Sequence, residues 1–266
     1  MEKMDYFIKE YLANRPFFMA LIRPQEAIFF DNCKKKIKNP VLDFGCGDGF
    51  FTRTVFGKKQ IEVGLDLYDS RAKEAEQSGI YRKVSYYDGR LIPYPDNHFQ
   101  TVVSNCVLEH IPNLNQSLHE IYRVLKPHGF LIVTVMTNQW EQHLFGRKIL
   151  GNIYVKWMRQ KQFHLNLFTL DQWNRVFTKI GFRINLNRGY LSPKNSSWLD
   201  IAHYLSLPSL LSYMLFRQWN FFPRLPINAR LVNFIKTQSV PFNDKNNSSA
   251  LFYLLKKPKT FSHFCR

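Results

Sequence analysis

The stretch VLDFGCGDGF, from Val41 to Phe50, constrains the fold more than any other part of this 266-residue chain. Val41 and Leu42 suit the end of a buried parallel strand. Gly45, Gly47 and Gly49 then let the backbone turn sharply and approach a ligand without interference from a Cβ. Helix-forming sequence begins near Phe50. A strand, glycine turn and helix in this order present backbone N–H groups and the positive end of a helix dipole at the carboxyl edge of the strand. The ligand is not named by that geometry alone. The dinucleotide fingerprint is G-x-G-x-x-G, whereas here the glycines fall as G-x-G-x-G behind Asp43.

Further segments follow in order. Ile61 to Leu67 (IEVGLDL) reads as a second buried strand ending in Asp66. A carboxylate about twenty residues past such a loop holds ribose hydroxyls. The competing reading of Asp66, as cap of the next helix, is served better by Asp69 and Ser70. Val84 to Tyr87 reads as a third strand, followed by Asp88 and Gly89 at the place of an adenine ring or, more simply, in an Asp-Gly turn. LIPYPDNHFQTVVSNCVLEHIPN (Leu91–Asn113) carries a fourth strand. LNQSLHEIYRVLKPHGFLIVTV (Leu114–Val135) reads as an amphipathic helix, a K-P-x-G turn and a fifth strand.

Taken together, these segments resemble the class I S-adenosylmethionine (SAM)-dependent methyltransferases. The L-P-[FY]-P-D-x-x-F loop and the L-E-H-I element are similar to the type 11, ubiquinone/menaquinone-methyltransferase-like branch, with Gln100, just ahead of strand four, standing where that branch has Asp. The resemblance covers residues 38–136 closely and 164–184 loosely. It implies an α/β, Rossmann-like sheet of seven strands, mostly parallel with an antiparallel last strand, bearing helical lid insertions. It also implies SAM as cofactor and no metal. Asp43 would order the loop and the methionine amino end, with Gly45, Cys46, Gly47 and Gly49 around it. Asp66, with Leu67 beside it, would take the ribose hydroxyls; Asp88 would meet the adenine amino group, Gly89 would leave room for it, and Asn105 would contribute near the methionine end. His110, just past strand four, and His164 are the candidate bases for a hydroxyl acceptor; the alternative for His110 is a structural role within L-E-H-I.

The remaining chain divides into an N-terminal helical cap (1–37), the SAM-binding core (38–136) and a second half (137–266). That half supplies strands near 182–187 and 250–256 and lid insertions at about 136–162 and 188–249; loops this long in a compact domain are usually functional. Lys and Arg outnumber Asp and Glu by 18 to 16 in residues 1–136 and by 19 to 4 in residues 137–266, so nearly all of the net charge of +17 lies in the second half. All five tryptophans lie there too, beside apolar runs such as WLDIAHYLSLPSLLSYMLF.

Trp and Tyr among Lys and Arg suit an anionic membrane surface, or else the aromatics pack the lid's own core while the cations solvate it. Asp200, His203, Pro208 and Arg217 interrupt the longest apolar run and argue against a spanning helix. No N/D-P-P-[YFW] element and no Pro-Cys pair follows or fills strand four, which argues against nucleic-acid methylation. The expected activity is thus methyl transfer to a small or lipid-linked acceptor, with RNA methylation and a non-catalytic SAM-binding module as alternatives. The opening residues carry charges throughout and lack a signal-peptide core, and the four cysteines show no framework. Both point to a cytoplasmic protein, peripheral at the membrane if the basic half binds lipid. Oligomeric state is not legible.

Overall fold

A computed structural model describes residues 3–57, 59–68, 70–219, 227–239 and 242–259. Asp69 and the side chain of Ser70, both invoked above, and one of the four cysteines, Cys265, lie outside the described set. The chain forms two compact units, one of residues 1–32, 136–169 and 188–251 and the other of 33–135, 170–187 and 252–266.

The second unit carries the sheet. Its strands are β1 (Val41–Phe44), β2 (Ile61–Asp66), β3 (Tyr81–Tyr86), β4 (Phe99–Asn105), β5 (Leu125–Met136), β6 (Arg183–Gly189) and β7 (Ala250–Lys256), in the order β3-β2-β1-β4-β5-β7-β6. β1 is parallel to β2 and β4, and β2–β3 and β4–β5 are parallel as well. At the far edge the direction reverses. The amide of His128 donates to Lys257 and that of Thr137 to Ser249, which runs β7 antiparallel to β5. The central strands are apolar because both faces are covered: every residue of β1 is buried, and Val102, Val103, Leu131, Ile132 and Val133 are at most 2% exposed.

Three local differences from the sequence reading have plain causes. β3 begins at Tyr81, three residues early, because Ile61 to Asp66 of β2 pair with Tyr81 to Tyr86 along their length. The K-P-x-G segment is a bulge within β5: Leu125 pairs with Phe99, Phe130 with Thr101, and the residues between are taken up with His128 at φ 64°. Gly129 is demanded there, since a Cβ would come 2.8 Å from the Lys126 carbonyl and 2.9 Å from that of Gln100. Gln100 belongs to β4 instead of preceding it, and its amide donates to Pro40.

Two helices of this unit explain motif residues. α5 (Leu114–Val124) buries Leu114, Leu118, Ile121 and Val124 on one face. From its last turn Arg123 donates to the Ile92 and Tyr94 carbonyls at 3.0 and 2.9 Å, to Asp96 at 2.8 Å and to Glu120, whose carboxylate also accepts from the Ile92 amide. The L-I-P-Y-P-D loop is therefore a strap tied to α5. Lys257, after β7, pins the same helix end, donating to the Tyr122 and Leu125 carbonyls at 2.7 Å and to Asn97 at 2.9 Å. α8 (Leu170–Ile180) buries Trp173 and Phe177, and Phe177 meets the Tyr253 ring edge-on.

The first unit is helical: α1 (Lys3–Asn14), α2 (Phe17–Asn32), α6 (Gln139–His143), α7 (Phe145–Lys161), α9 (Pro193–Leu205), α10 (Leu207–Phe216) and α11 (Ala229–Gln238). The long apolar run at 198–216 is two helices. α10 restarts at Leu207 with Pro208 in its first turn, and the Ser206 hydroxyl turns back to the Ala202 carbonyl at 2.7 Å. Several buried polar groups are paired within the unit: Tyr190 donates to Glu26, Tyr154 to Asp200, and Asp200 also accepts from the Gly146 amide. Among the described residues no helix is long and apolar enough to cross a membrane.

Candidate functional site

The glycine turn is built by positive φ angles of 76°, 54° and 73° at Gly45, Gly47 and Gly49, which L side chains rarely adopt. The three glycines have different jobs. A Cβ on Gly45 would fall 2.4 Å from a methyl of Val107, so Gly45 lets the loop cross the start of the post-β4 segment. Gly49 caps α3 (Phe50–Phe56). A Cβ on Gly47 would meet nothing within 4 Å; that face of the loop is open. The turn is anchored to β2 by the Gly45 and Cys46 amides, both donating to Leu65, and by the Gly47 amide donating to the Asp66 carboxylate at 2.6 Å.

Beside the turn lies a cavity of about 490 Å³ walled by Gly45, Asp66, Leu67, Asp88, Gly89 and His110, together with Tyr87, Arg90, Val107 and the Ile111–Asn113 segment. Five residues singled out from sequence as cofactor contacts thus converge with one candidate base. The acids differ in duty. The second oxygen of Asp66 accepts from the Leu67 amide at 2.8 Å, which fixes the carboxylate at the rim. Asp88 accepts from the amides of Arg90 and Leu91, and those N–H groups hold its carboxyl below the usual range. Asp88 thus both closes the Asp-Gly turn and lines the cavity. Gly89, at φ 82°, is required by its backbone angle, since a Cβ there would make an ordinary contact 3.9 Å from Leu67.

Asp43, Cys46, Gly47, Gly49 and Asn105 are not part of that wall. Asp43 is buried beneath the loop, accepting 2.5 Å hydrogen bonds from Thr52 of α3 and Tyr81 of β3. Burial, opposed by those two hydrogen bonds and aided by the nearby Asp66 charge, pushes its pKa up to about 6. Cys46 is also buried; desolvation first, then the Asp43 and Asp66 charges, drive its thiol far above the ordinary range, so it is no nucleophile. Asn105 accepts from the Thr134 hydroxyl at 2.7 Å, which in turn accepts from the Cys106 amide, and this ties the end of β4 to β5. His164 belongs to the helical unit, where it is buried.

Sequence reasoning missed Tyr87, Arg90, Val107 and Ile111–Asn113. The last three form the tail of the L-E-H-I-P-N string, and Tyr87 and Arg90 flank the Asp-Gly pair, so each sat beside a residue already singled out. The chemistry of the wall fits SAM. One rim carboxylate is fixed in place, a second lies next to a glycine, the apolar sides Leu67, Val107 and Ile111 suit a ring, and the glycine face is open to a ligand backbone.

Comparison with known proteins agrees. A family profile described as a methyltransferase domain (Methyltransf_11) matches residues 42–133. Over 187 residues the chain is 26% identical to the ubiquinone biosynthesis O-methyltransferase of Alkalilimnicola ehrlichii, covering 64% of this chain and 74% of that protein. It is 34% identical over 173 residues to the sterol 24-C-methyltransferase of Pneumocystis carinii, covering 59% of this chain and 42% of that one. The Haemonchus contortus phosphoethanolamine N-methyltransferase 2, solved with phosphomonomethylethanolamine and S-adenosylhomocysteine, superposes with a TM-score of 0.60 over 96% of this chain and 58% of that one; at 19% identity the likeness is one of fold. The chain spans from 33% to 74% of the length of such curated relatives. Residues 42–133 thus match a type 11 methyltransferase domain, and through them the chain is similar to SAM-dependent methyltransferases.

Proposed function

We propose that the enzyme methylates a small, lipid-linked acceptor at an anionic membrane surface. The observation that carries this reading is α10. Of its ten residues only Ser212 is buried, and Leu207, Leu210, Leu211, Met214, Leu215 and Phe216 are all exposed. An exposed apolar helix in a half-chain that carries 19 basic and 4 acidic residues suits an interface of acyl chains and anionic headgroups. α7 adds exposed Ile149, Leu150, Ile153 and Trp157. The segments at 136–162 and 188–249 then carry acceptor selection.

On the donor side, Asp66 takes the ribose hydroxyls, Asp88 and Gly89 receive the adenine, and Asp43 orders the loop from below. SAM, when bound, supplies a methyl already activated on a sulfonium, so the chain's task is to align the acceptor and exclude water. His110 takes the proton of a hydroxyl acceptor in this reading. The relatives named above transfer methyl groups to oxygen, carbon and nitrogen by their names, so the acceptor atom is left to experiment. Labelled-methyl transfer from SAM to fractionated lipid, RNA and small-molecule extracts tests the proposal. Label in the lipid fraction supports it, and label in RNA alone refutes it. Co-sedimentation with anionic liposomes at low salt tests the surface, and absence of binding removes the membrane from the account.

A further inference from the structure

The helical unit holds a cavity of its own, a cleft of about 540 Å³ that none of the SAM-site residues enters. His143 from the end of α6, Phe145 and Lys148 from the first turn of α7, and Lys194, Trp198 and Ile201 from α9 form its working walls. The cleft has two lysines and no carboxylate among its lining residues. No ion pair joins either lysine to an acid among the described residues. The His143 ring is held in the wall by its Nδ1, 2.9 Å from the Ser249 hydroxyl, and it lies close enough to Lys148 to feel that charge. One helical turn from Lys148 and Lys194 respectively, Phe145 and Trp198 remain 40% and 39% exposed, Trp198 meets Phe234 edge-on at 5.9 Å, and α7 continues with exposed Ile149.

A concave site with uncompensated cations beside half-exposed aromatic rings has the chemistry to take an anionic amphiphile. A phosphate gains charge-assisted hydrogen bonds from the ammonium groups, and the carbons next to it cover the rings. Cations without acids in a cleft also concentrate field lines toward such a group. We propose that this cleft binds the phosphate headgroup of a membrane amphiphile, the anion against Lys148, Lys194 and His143 and the first apolar carbons against Phe145, Trp198 and Ile201. The inference rests on the reading of the helical unit as the surface-binding part of the enzyme, and it adds a discrete headgroup site to a diffuse basic surface.

Calorimetric titration of the full chain with monomeric dihexanoyl phosphatidate, and separately with inorganic phosphate, tests it. Wild type is expected to bind phosphatidate at least about tenfold more tightly than phosphate. Lys148→Glu with Lys194→Glu is expected to weaken phosphatidate binding by about a hundredfold, one decade or so for each charge-assisted contact. Lys35→Glu with Lys59→Glu, the same charge change on the sheet unit, is expected to leave binding unchanged. Trp198→Ala should weaken phosphatidate but not phosphate. Equal affinity for phosphate and phosphatidate overturns the amphiphile assignment. Equal losses in the two double variants overturn the site and leave only a diffuse field. SAM titrated into the same wild-type sample separates the two readings: binding of SAM without phosphatidate overturns the cleft alone, and failure to bind SAM counts against the donor site instead.

Discussion

Replacing Asp43 by Asn isolates the energetic cost of placing a charge under the cofactor loop. The carboxyl is displaced from its ordinary 3.8 to about 6, with burial the largest cause. Below pH 3.8 the group is protonated in folded and unfolded chains alike and contributes no difference. Above pH 6 it is ionised in both, and the folded state carries a cost of about 3 kcal/mol, at 1.36 kcal/mol per pKa unit. This group's contribution to stability is therefore lost as pH rises from 3.8 through 6. Asn keeps an oxygen that accepts from Thr52 and Tyr81 and removes the charge. In urea denaturation at pH 8 the variant should be more stable by up to about 3 kcal/mol, a midpoint shift of about 1 M at an m of roughly 3 kcal/mol/M. At pH 4 the two proteins should nearly coincide. SAM affinity should move the other way, since the carboxylate faces the loop from beneath. Equal stability of the two proteins at pH 8, or the same difference at pH 8 and pH 4, would refute the reasoning.

Gly45→Ala combines an unfavourable φ with a Cβ 2.4 Å from Val107, and should cost roughly 2–4 kcal/mol by thermal or urea denaturation. Adding Val107→Ala should recover the contact part but not the backbone part; full recovery would show that φ strain is absent. Cys46, buried and with its thiol pKa driven up, should resist iodoacetamide at pH 7.5 in the native protein and react once urea unfolds it, as read by peptide mass spectrometry. His110→Ala should slow transfer to a hydroxyl acceptor by about 10² or more while SAM affinity holds, and an unchanged rate would assign His110 to the wall alone.

The sheet was readable because its signals are local and physical. Apolar runs at Val41, Ile61 and Val102 need two covered faces, and the glycines at 45, 47 and 49 need the φ angles they have. β7 was recognisable as ALFYLLK, every residue of which but the last is buried. What escaped was non-local. Nothing adjacent to Asp43 shows that its carboxylate would be used by Thr52 and Tyr81, nine and 38 residues away. The role of Arg123 as the clasp of the L-I-P-Y-P-D loop depends on carbonyls about thirty residues upstream, which no periodicity records. The K-P-x-G bulge resembles a turn because both want Gly; only the pairing of Leu125 with Phe99 tells them apart. The basic, aromatic half gave composition without geometry, and the cleft at Lys148 and Lys194 needed three helices to become visible.

The central claim is that the cavity bounded by Asp66, Asp88 and Gly89 holds SAM, and calorimetry of SAM on wild type and Asp66→Ala tests it most directly. Loss of the carboxylate removes a rim acceptor and the anchor of the Gly47 amide, and affinity should fall by about tenfold or more. An Asp66→Ala protein that binds SAM as tightly as wild type would contradict the account.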